Sequence, residues 1–360
     1  MPTLRELPNT SYMEPEVILL FSKSAPPKNL GELDALFPGA KHMDYLEAPV
    51  PADLIVHIET PVYGWMPWAS ANIFIMNPET YTKEWDAYLT KFTNIFKIGE
   101  LPHEFTVSRT ERPAPPLLKE YPPISIVTLL YNRPKFFDLA CYNLMTADYP
   151  LNKIEWILVD DSTPEFSCAA DIQATAAKSN TLKIVYLQVE KSSVAKKRNI
   201  GVAAASNELV LMMDDDDHYP TSSLAKRVAW FNHPWEPKAV TATTIACYDL
   251  VKGISAVNVP PFTLSLGKRV SEATLTFKKS WWLERPFSED VQVAEGEDFI
   301  KGRELDVLEI PPQQIIVAFS HGANVSSRRV PPEAKPGCFW GFEKEFLVFI
   351  HGLVGVTIES

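Results

Sequence analysis

From Ile124 onward, short apolar runs alternate with stretches whose apolar residues recur every three or four positions. ISIVTLLYN (Ile124–Asn132), IEWILVDDST (Ile154–Thr163), LKIVYLQVE (Leu182–Glu190) and ELVLMMDDDD (Glu208–Asp217) are apolar along most of their length and end in polar groups. Runs of this kind read as strands buried on both faces. Between them, Phe137, Ala140, Cys141, Leu144 and Met145 share one helical face within residues 134–147, and residues 171–177 and 193–205 read as two further helices. The order β-α-β-α-β-α-β predicts a mostly parallel sheet with right-handed crossovers. Ligands of such sheets sit beyond the carboxyl ends of the strands. Three polar groups fall there: Tyr131-Asn132-Arg133, Asp160-Asp161 and Asp214 to Asp217.

The N-terminal part carries a weaker version of the same pattern. Glu16–Phe21, Asp53–Ile58 and Asn72–Asn77 read as strands. Pro78-Glu79 is expected to open a helix bearing Trp85, Tyr88, Leu89, Phe92 and Phe96 on one face, with a further strand starting at Phe96–Gly99. This is a small α/β layer, and its His57, Glu59 and Glu79 read as structural. The stretch RPAPPLLKEYPP (Arg112–Pro123) is too rich in proline for helix or central strand and reads as an extended linker. The expected organisation is an α/β N-terminal domain over 1–111, a linker over 112–123, a catalytic domain over 124–335 and an apolar extension over 336–360. The last apolar run, Phe346–Ile358, is short of the ~20 residues that span a bilayer. A buried terminal strand or helix is expected there, with peripheral membrane contact as the lesser alternative.

Composition narrows the function. The chain has 360 residues, a net charge of -11 and a pI near 5.2, a poor balance for binding nucleic acid. Cys141, Cys168, Cys247 and Cys338 form no C-x-x-C pair, so zinc and dithiol motifs are unsupported. The N-terminus shows no basic region leading into an apolar one, and a cytoplasmic location is expected. Neither G-x-G-x-x-G nor G-x-x-x-x-G-K-[ST] occurs, so a bound nucleotide needs another device for its phosphates.

The run Asp214-Asp215-Asp216-Asp217 suggests one. At ~5 Å and an effective dielectric of ~20, each neighbouring pair of charges costs about 3 kcal/mol. Placed at the mouth of a buried strand, such a run calls for a cation, and hard carboxylate oxygens suit Mg²⁺ or Mn²⁺. An EF-hand loop is excluded, because its glycine and its distal glutamate are absent.

Strands ending in YNR, VDDST and MDDDD, a helix with KKRNIG, then GEDF and SHGAN downstream resemble a GT-A glycosyltransferase, most similar to the inverting family 2 group. The resemblance covers Ile124 to about Arg329. It implies an α/β fold of GT-A type, a nucleotide-diphosphate sugar as donor with UDP favoured, and a hydroxyl acceptor on a glycan, protein or lipid. Mn²⁺ or Mg²⁺ is the implied cofactor, held by Asp216 with His321 as second ligand. Asp214 and Asp215 would contact the donor ribose or metal-bound water. The run leaves the register of the metal ligand open by one residue. Tyr131, Arg133, Asp161 and Arg198 are the other implied donor-binding residues. Asp298 is the implied general base with Glu297 beside it. Trp281 and Trp282 read either as an apolar wall for the sugar or acceptor or as core packing. Arg328 and Arg329 are further candidates for holding diphosphate. The alternatives are a metal-dependent nucleotidyltransferase and a non-catalytic carbohydrate-binding relative.

Overall fold

The computed structural model describes residues 15–357 except 48, 49, 51, 108–117, 119, 180, 234, 262, 263, 292, 323, 325–335 and 339. Most of the proline-rich stretch, and Arg328 and Arg329, lie outside the described residues. The chain divides into two compact units, Met1–Ala114 and Pro115–Ser360.

The first unit runs β1 (Val17–Phe21), α1 (Leu30–Leu36), β2 (Lys41–Asp44), β3 (Ala52–Ile58), β4 (Ala69–Met76), α2 (Asp86–Leu89) and β5 (Asn94–Lys97). Its five strands are all parallel, in the order β2-β1-β3-β4-β5. The expected helix from Pro78 to Phe96 is a correction: only Asp86–Leu89 is α-helical, and Phe96 lies in β5. The aromatic spacing serves a different packing, with Phe92 over Phe74 and His57, and Trp85 edge-on to Phe74.

His57 is a structural residue inside this sheet. It is fully buried, its Nε2 donates to Asn72 Oδ1 at 3.0 Å, and its Nδ1 accepts from Val62 N at 3.1 Å. Burial disfavours the imidazolium more than the Asn72 bond favours it, which pulls the pKa from 6.5 down to about 4. The unfolded chain therefore binds the extra proton first as pH falls. Stability from this site is complete above pH 6.5 and is lost as pH drops to about 4, a total of about 3 kcal/mol. Chemical denaturation of His57→Gln across that window should show a visibly shallower loss than the wild type.

The second unit begins with β6 (Ile124–Leu130), α3 (Phe137–Met145), β7 (Ile154–Asp160), α4 (Ala169–Lys178), β8 (Lys183–Gln188), α5 (Val194–Ala204), β9 (Leu209–Met212) and α6 (Ser223–Ala229). It continues with β10 (Ala239–Thr241), β11 (Ile245–Asp249), β12 (Ile254–Asn258), α7 (Leu266–Arg269), β13 (Thr276–Lys278) and α8 (Lys279–Glu284). The last elements are α9 (Glu295–Ile300), β14 (Val307–Glu309), β15 (Val317–Ser320) and α10 (Lys344–Leu353). The main sheet has the order β14-β10-β13-β9-β6-β7-β8, with β13 antiparallel to both neighbours and the other pairs parallel. A smaller sheet has the order β12-β11-β15. The apolar run near the C-terminus forms the helix α10, whose Phe346 and Ile350 pack on Leu139, Tyr248 and Phe319. No helix among the described residues is long and apolar enough to cross a membrane.

Because β9, β6 and β7 are adjacent and parallel, Asp214, Tyr131 and Asp161 emerge at one edge. Helix α5 lies directly on β6 and β7. Ser193 caps it, accepting from Lys196 N at 3.2 Å. Gly201 makes the close approach feasible: a Cβ there would collide with Val127 and reach 3.2 Å from Val159. Gly201→Ala should lower the denaturation midpoint by an amount equal to about 1–3 kcal/mol, the usual range for overpacking.

Candidate active site

The turns after β6 and β7 are tied together. Asn132 has φ 49, a left-handed conformation that Asn tolerates better than most residues. Its backbone N donates to Ser162 Oγ at 2.8 Å, and its Oδ1 accepts from Thr163 N at 2.9 Å. This brings Arg133 across the edge of the sheet toward the aspartate loop. Arg133 Nη2 lies 2.6 Å from Asp215 Oδ1, and its Nη1 donates to Asp216 Oδ2. The resemblance placed Arg133 on the donor; here its guanidinium is committed to two carboxylates.

The aspartate loop is then fastened to β15. His218 and Val317 exchange backbone hydrogen bonds at 3.0 and 2.8 Å, and Phe319 N donates to Asp217 Oδ1 at 2.9 Å. That short zipper carries His321 to the loop, with Nε2 2.9 Å from Asp216 Oδ2. Asn324 orients the histidine by accepting from its backbone N at 2.8 Å. Tyr219 hydroxyl accepts from Asp214 N at 2.8 Å and donates to Ala273 O at 3.1 Å, which closes the other end of the loop.

Burial makes the charge of this loop expensive. Burial and the adjacent Asp216 charge push the Asp215 pKa well above the carboxylate range. Burial acts on Asp216 in the same sense, but the His321 bond and the Arg133 charge outweigh it and hold its pKa low. Asp214, Asp216 and Asp217 offer ligand oxygens all within 4.8 Å of one another. Three carboxylates with an imidazole nitrogen at their edge fit a hard divalent cation such as Mg²⁺ or Mn²⁺. His321 Nδ1 and Asp215 Oδ2 are buried without a hydrogen-bond partner among the described residues.

On the β7–β8 side, Asp161 is held by Lys197. Lys197 Nζ lies 2.6 Å from Asp161 Oδ1 and donates to Leu130 O at 3.2 Å. Asp160 takes a different part: its Oδ1 accepts from Ser162 N at 2.9 Å and its Oδ2 from Tyr186 hydroxyl at 2.9 Å.

Residues 125–264 match the family model described as Glycosyl transferase family 2. This segment is a family 2 glycosyltransferase domain. Its mixed α/β fold around a mostly parallel sheet is of the GT-A class. No curated protein matches the chain. Among solved structures it is similar to the mannosyltransferase PcManGT from Pyrobaculum calidifontis in complex with GDP-Man and Mn²⁺, with 19% identity, a TM-score of 0.44 and coverage of 57% of this chain and 58% of that one. It is also similar to S. aureus TarS 1–349 in complex with UDP, with 20% identity, a TM-score of 0.41 and coverage of 55% and 60%. The matches thus span less than two thirds of those chains.

The remaining candidates lie beyond residue 264, outside the family match. Glu297 and Asp298 sit half-buried in the first turn of α9, which opens at Ala294 with φ 60. Arg198 of the glycosyltransferase domain reaches this helix and not the aspartate loop: its Nε pairs with Glu295 Oε1 at 3.0 Å, both groups buried. Burial opposes the Arg198 charge, but Glu295, then Asp214 and Glu272, keep its pKa raised. Glu272 is a residue that motif reading missed. Its Oε1 accepts from Gly296 N at 3.2 Å, and a Cβ at Gly296 would come within 2.6 Å of it.

Of the two readings of Trp281, acceptor wall and core, burial favours the core. Trp281 is 1% exposed, packs on Phe299 and under the Arg303 guanidinium, and donates to Asp306 Oδ2 at 2.9 Å. It is core. Trp282 donates to Asn199 Oδ1 at 3.1 Å and lines a shallow pocket of about 500 Å³ with Ile200, Ala203, Pro286 and Phe287.

The loop predicts metal binding measurable without turnover. Mn²⁺ at 100 times its Kd should stabilise the chain by about 2.7 kcal/mol in thermal melts. Asp216→Ala and His321→Ala should each reduce that shift.

Proposed function

We propose that the chain is a metal-dependent inverting glycosyltransferase. It moves a sugar from a nucleotide-diphosphate sugar, UDP-sugars being the first candidates, to a hydroxyl on a glycan, protein or lipid. The carrying observation is the cluster of Asp214, Asp216 and Asp217 beside His321, at the carboxyl edge of the family 2 sheet.

Asp216 and His321 would hold the cation, with Asp214 and Asp217 alongside. When bound, a divalent ion supplies positive charge beside a diphosphate. The chain's own residues do the rest. Tyr131, Lys197 and Asp161 form the nucleotide side of the cleft, where the aromatic ring offers a stacking face. Arg133 holds Asp215 and Asp216 in place. Arg198 ties the donor side to α9 through Glu295, which supports Asp298 as the acceptor's base. Asp298 takes the acceptor's hydroxyl proton as that oxygen forms its bond to the anomeric carbon. The bond from that carbon to the diphosphate oxygen breaks on the opposite face, and the nucleoside diphosphate leaves with the electron pair. One displacement inverts the anomeric configuration.

The test is a panel of UDP-, GDP- and dTDP-sugars with Mn²⁺, Mg²⁺ and EDTA. One nucleoside diphosphate should be released with metal, and not with EDTA or by Asp216→Ala. Asp298→Asn should lose about 10²–10⁴-fold in kcat, the range for a general base, while donor affinity stays within about twofold. Donor binding without turnover would instead favour a carbohydrate-binding relative, and failure to bind any donor would remove the transferase reading.

A further inference from the structure

Arg227 lies in α6, 0% exposed, and takes no part in the reaction proposed above. Its guanidinium brackets the point where β9 leaves the main sheet. Nη2 donates to Met212 O and to Leu275 O, each at 2.9 Å, and Nε donates to Thr276 Oγ1 at 2.8 Å. Leu275 O also accepts from Met212 N at 2.9 Å, so the fork closes on the last residue of β9 and its neighbour beside β13. Nη1 is buried and has no hydrogen-bond partner among the described residues.

None of these partners is charged. Burial pulls the Arg227 pKa from 12.5 down to about 10, against the opposing influence of Tyr219 and Asp214, so the group is still a cation at neutral pH. A buried charge without a bonded counter-charge is costly. A neutral amide can donate to a carbonyl equally well, so hydrogen bonding alone gives no reason for a full charge here. The acid whose charge acts on it is Asp214, two residues beyond Met212, whose backbone N is held by the Tyr219 hydroxyl. Arg227 therefore stands at the root of the aspartate loop as a further cation, separate from Arg133, which grips Asp215 and Asp216 directly.

We propose that Arg227 is a positioning residue that lowers the charge cost of the aspartate loop before a divalent cation arrives, and so works in opposition to that cation. Both offset the same carboxylates, so each reduces what the other gains. The loop is formed in advance, and the ion is held less tightly than the carboxylates alone would hold it. The inference rests on the metal-dependent reading above and goes further, to a residue that sets how strongly the ion binds. By linkage, a variant that loses more stability without the ion than with it must bind the ion more tightly by the corresponding factor.

The experiment is calorimetric titration of the full chain with Mn²⁺ alone, together with chemical denaturation in EDTA and in saturating Mn²⁺. Arg227→Gln keeps an amide donor and removes the charge. It should bind Mn²⁺ about tenfold more tightly than the wild type, the size expected of one unit charge acting across a partly solvated site. Its denaturation midpoint should fall further in EDTA than in Mn²⁺. Arg227→Lys keeps the charge and loses the fork, so it should be destabilised alike in both conditions, with Mn²⁺ affinity within about threefold of the wild type. Mn²⁺ affinity unchanged or weakened in Arg227→Gln, with equal destabilisation in EDTA and Mn²⁺, would reduce Arg227 to a neutral bracket and overturn the proposal while leaving the metal-dependent reading intact. An Arg227→Gln chain that folds only with Mn²⁺ would support it. If that chain folds in neither condition, Asp214→Asn is added: recovery of folding supports the charge role, and no recovery overturns it. A wild type that binds no Mn²⁺ would remove the metal-dependent reading, and this inference with it.

Discussion

The constraint on which the second unit depends is unbalanced negative charge at the end of a buried strand. Four consecutive aspartates follow β9, and three of them are buried. One guanidinium, Arg133, and one imidazole, His321, come from opposite sides to meet them. Each arrives by a separate device. Arg133 is aimed by the left-handed turn at Asn132, and His321 is delivered by the His218–Val317 zipper and by Asp217 gripping the backbone of Phe319. The loop nevertheless keeps more negative than positive charge in a poorly solvated place, which is the physical case for a cation there.

Helix α5 carries the other half of the arrangement. Gly201 lets it sit against Val127 and Val159, and at that depth Lys197 and Arg198 point in different directions. Lys197 turns toward the end of β7 to hold Asp161; Arg198 turns toward α9 to hold Glu295. Adjacent basic residues at a helix start thus connect the end of β7 with the helix that carries Asp298. Cations near a helix N-terminus oppose the helix dipole, and the two buried carboxylates offset that cost.

Legibility varied with the range of the interaction. The alternating strands and helices of residues 124–212 could be read because every buried strand is a continuous apolar run bounded by polar turns, and parallel crossovers admit few arrangements. The aromatic spacing in residues 78–96 misled. Its rings serve a short helix, a turn and a strand that converge on Phe74, and periodicity alone does not separate that from one helical face. Trp281 stayed open between two readings, since an aromatic pair near acidic residues fits a sugar platform and a core anchor equally well until burial is known.

The linear order of residues was enough to establish the strand-and-helix alternation, the acidic run at a strand's carboxyl end and the polar groups that share its edge, because these follow from local periodicity and adjacency. Which charges meet was decided only by the tertiary structure. The pairs Arg133 with Asp215 and Asp216, His321 with Asp216, Lys197 with Asp161 and Arg198 with Glu295 join residues far apart in the chain. Spacing says nothing of such partners, because each is chosen by how sheets, turns and helices pack, and burial then makes the chosen contact obligatory.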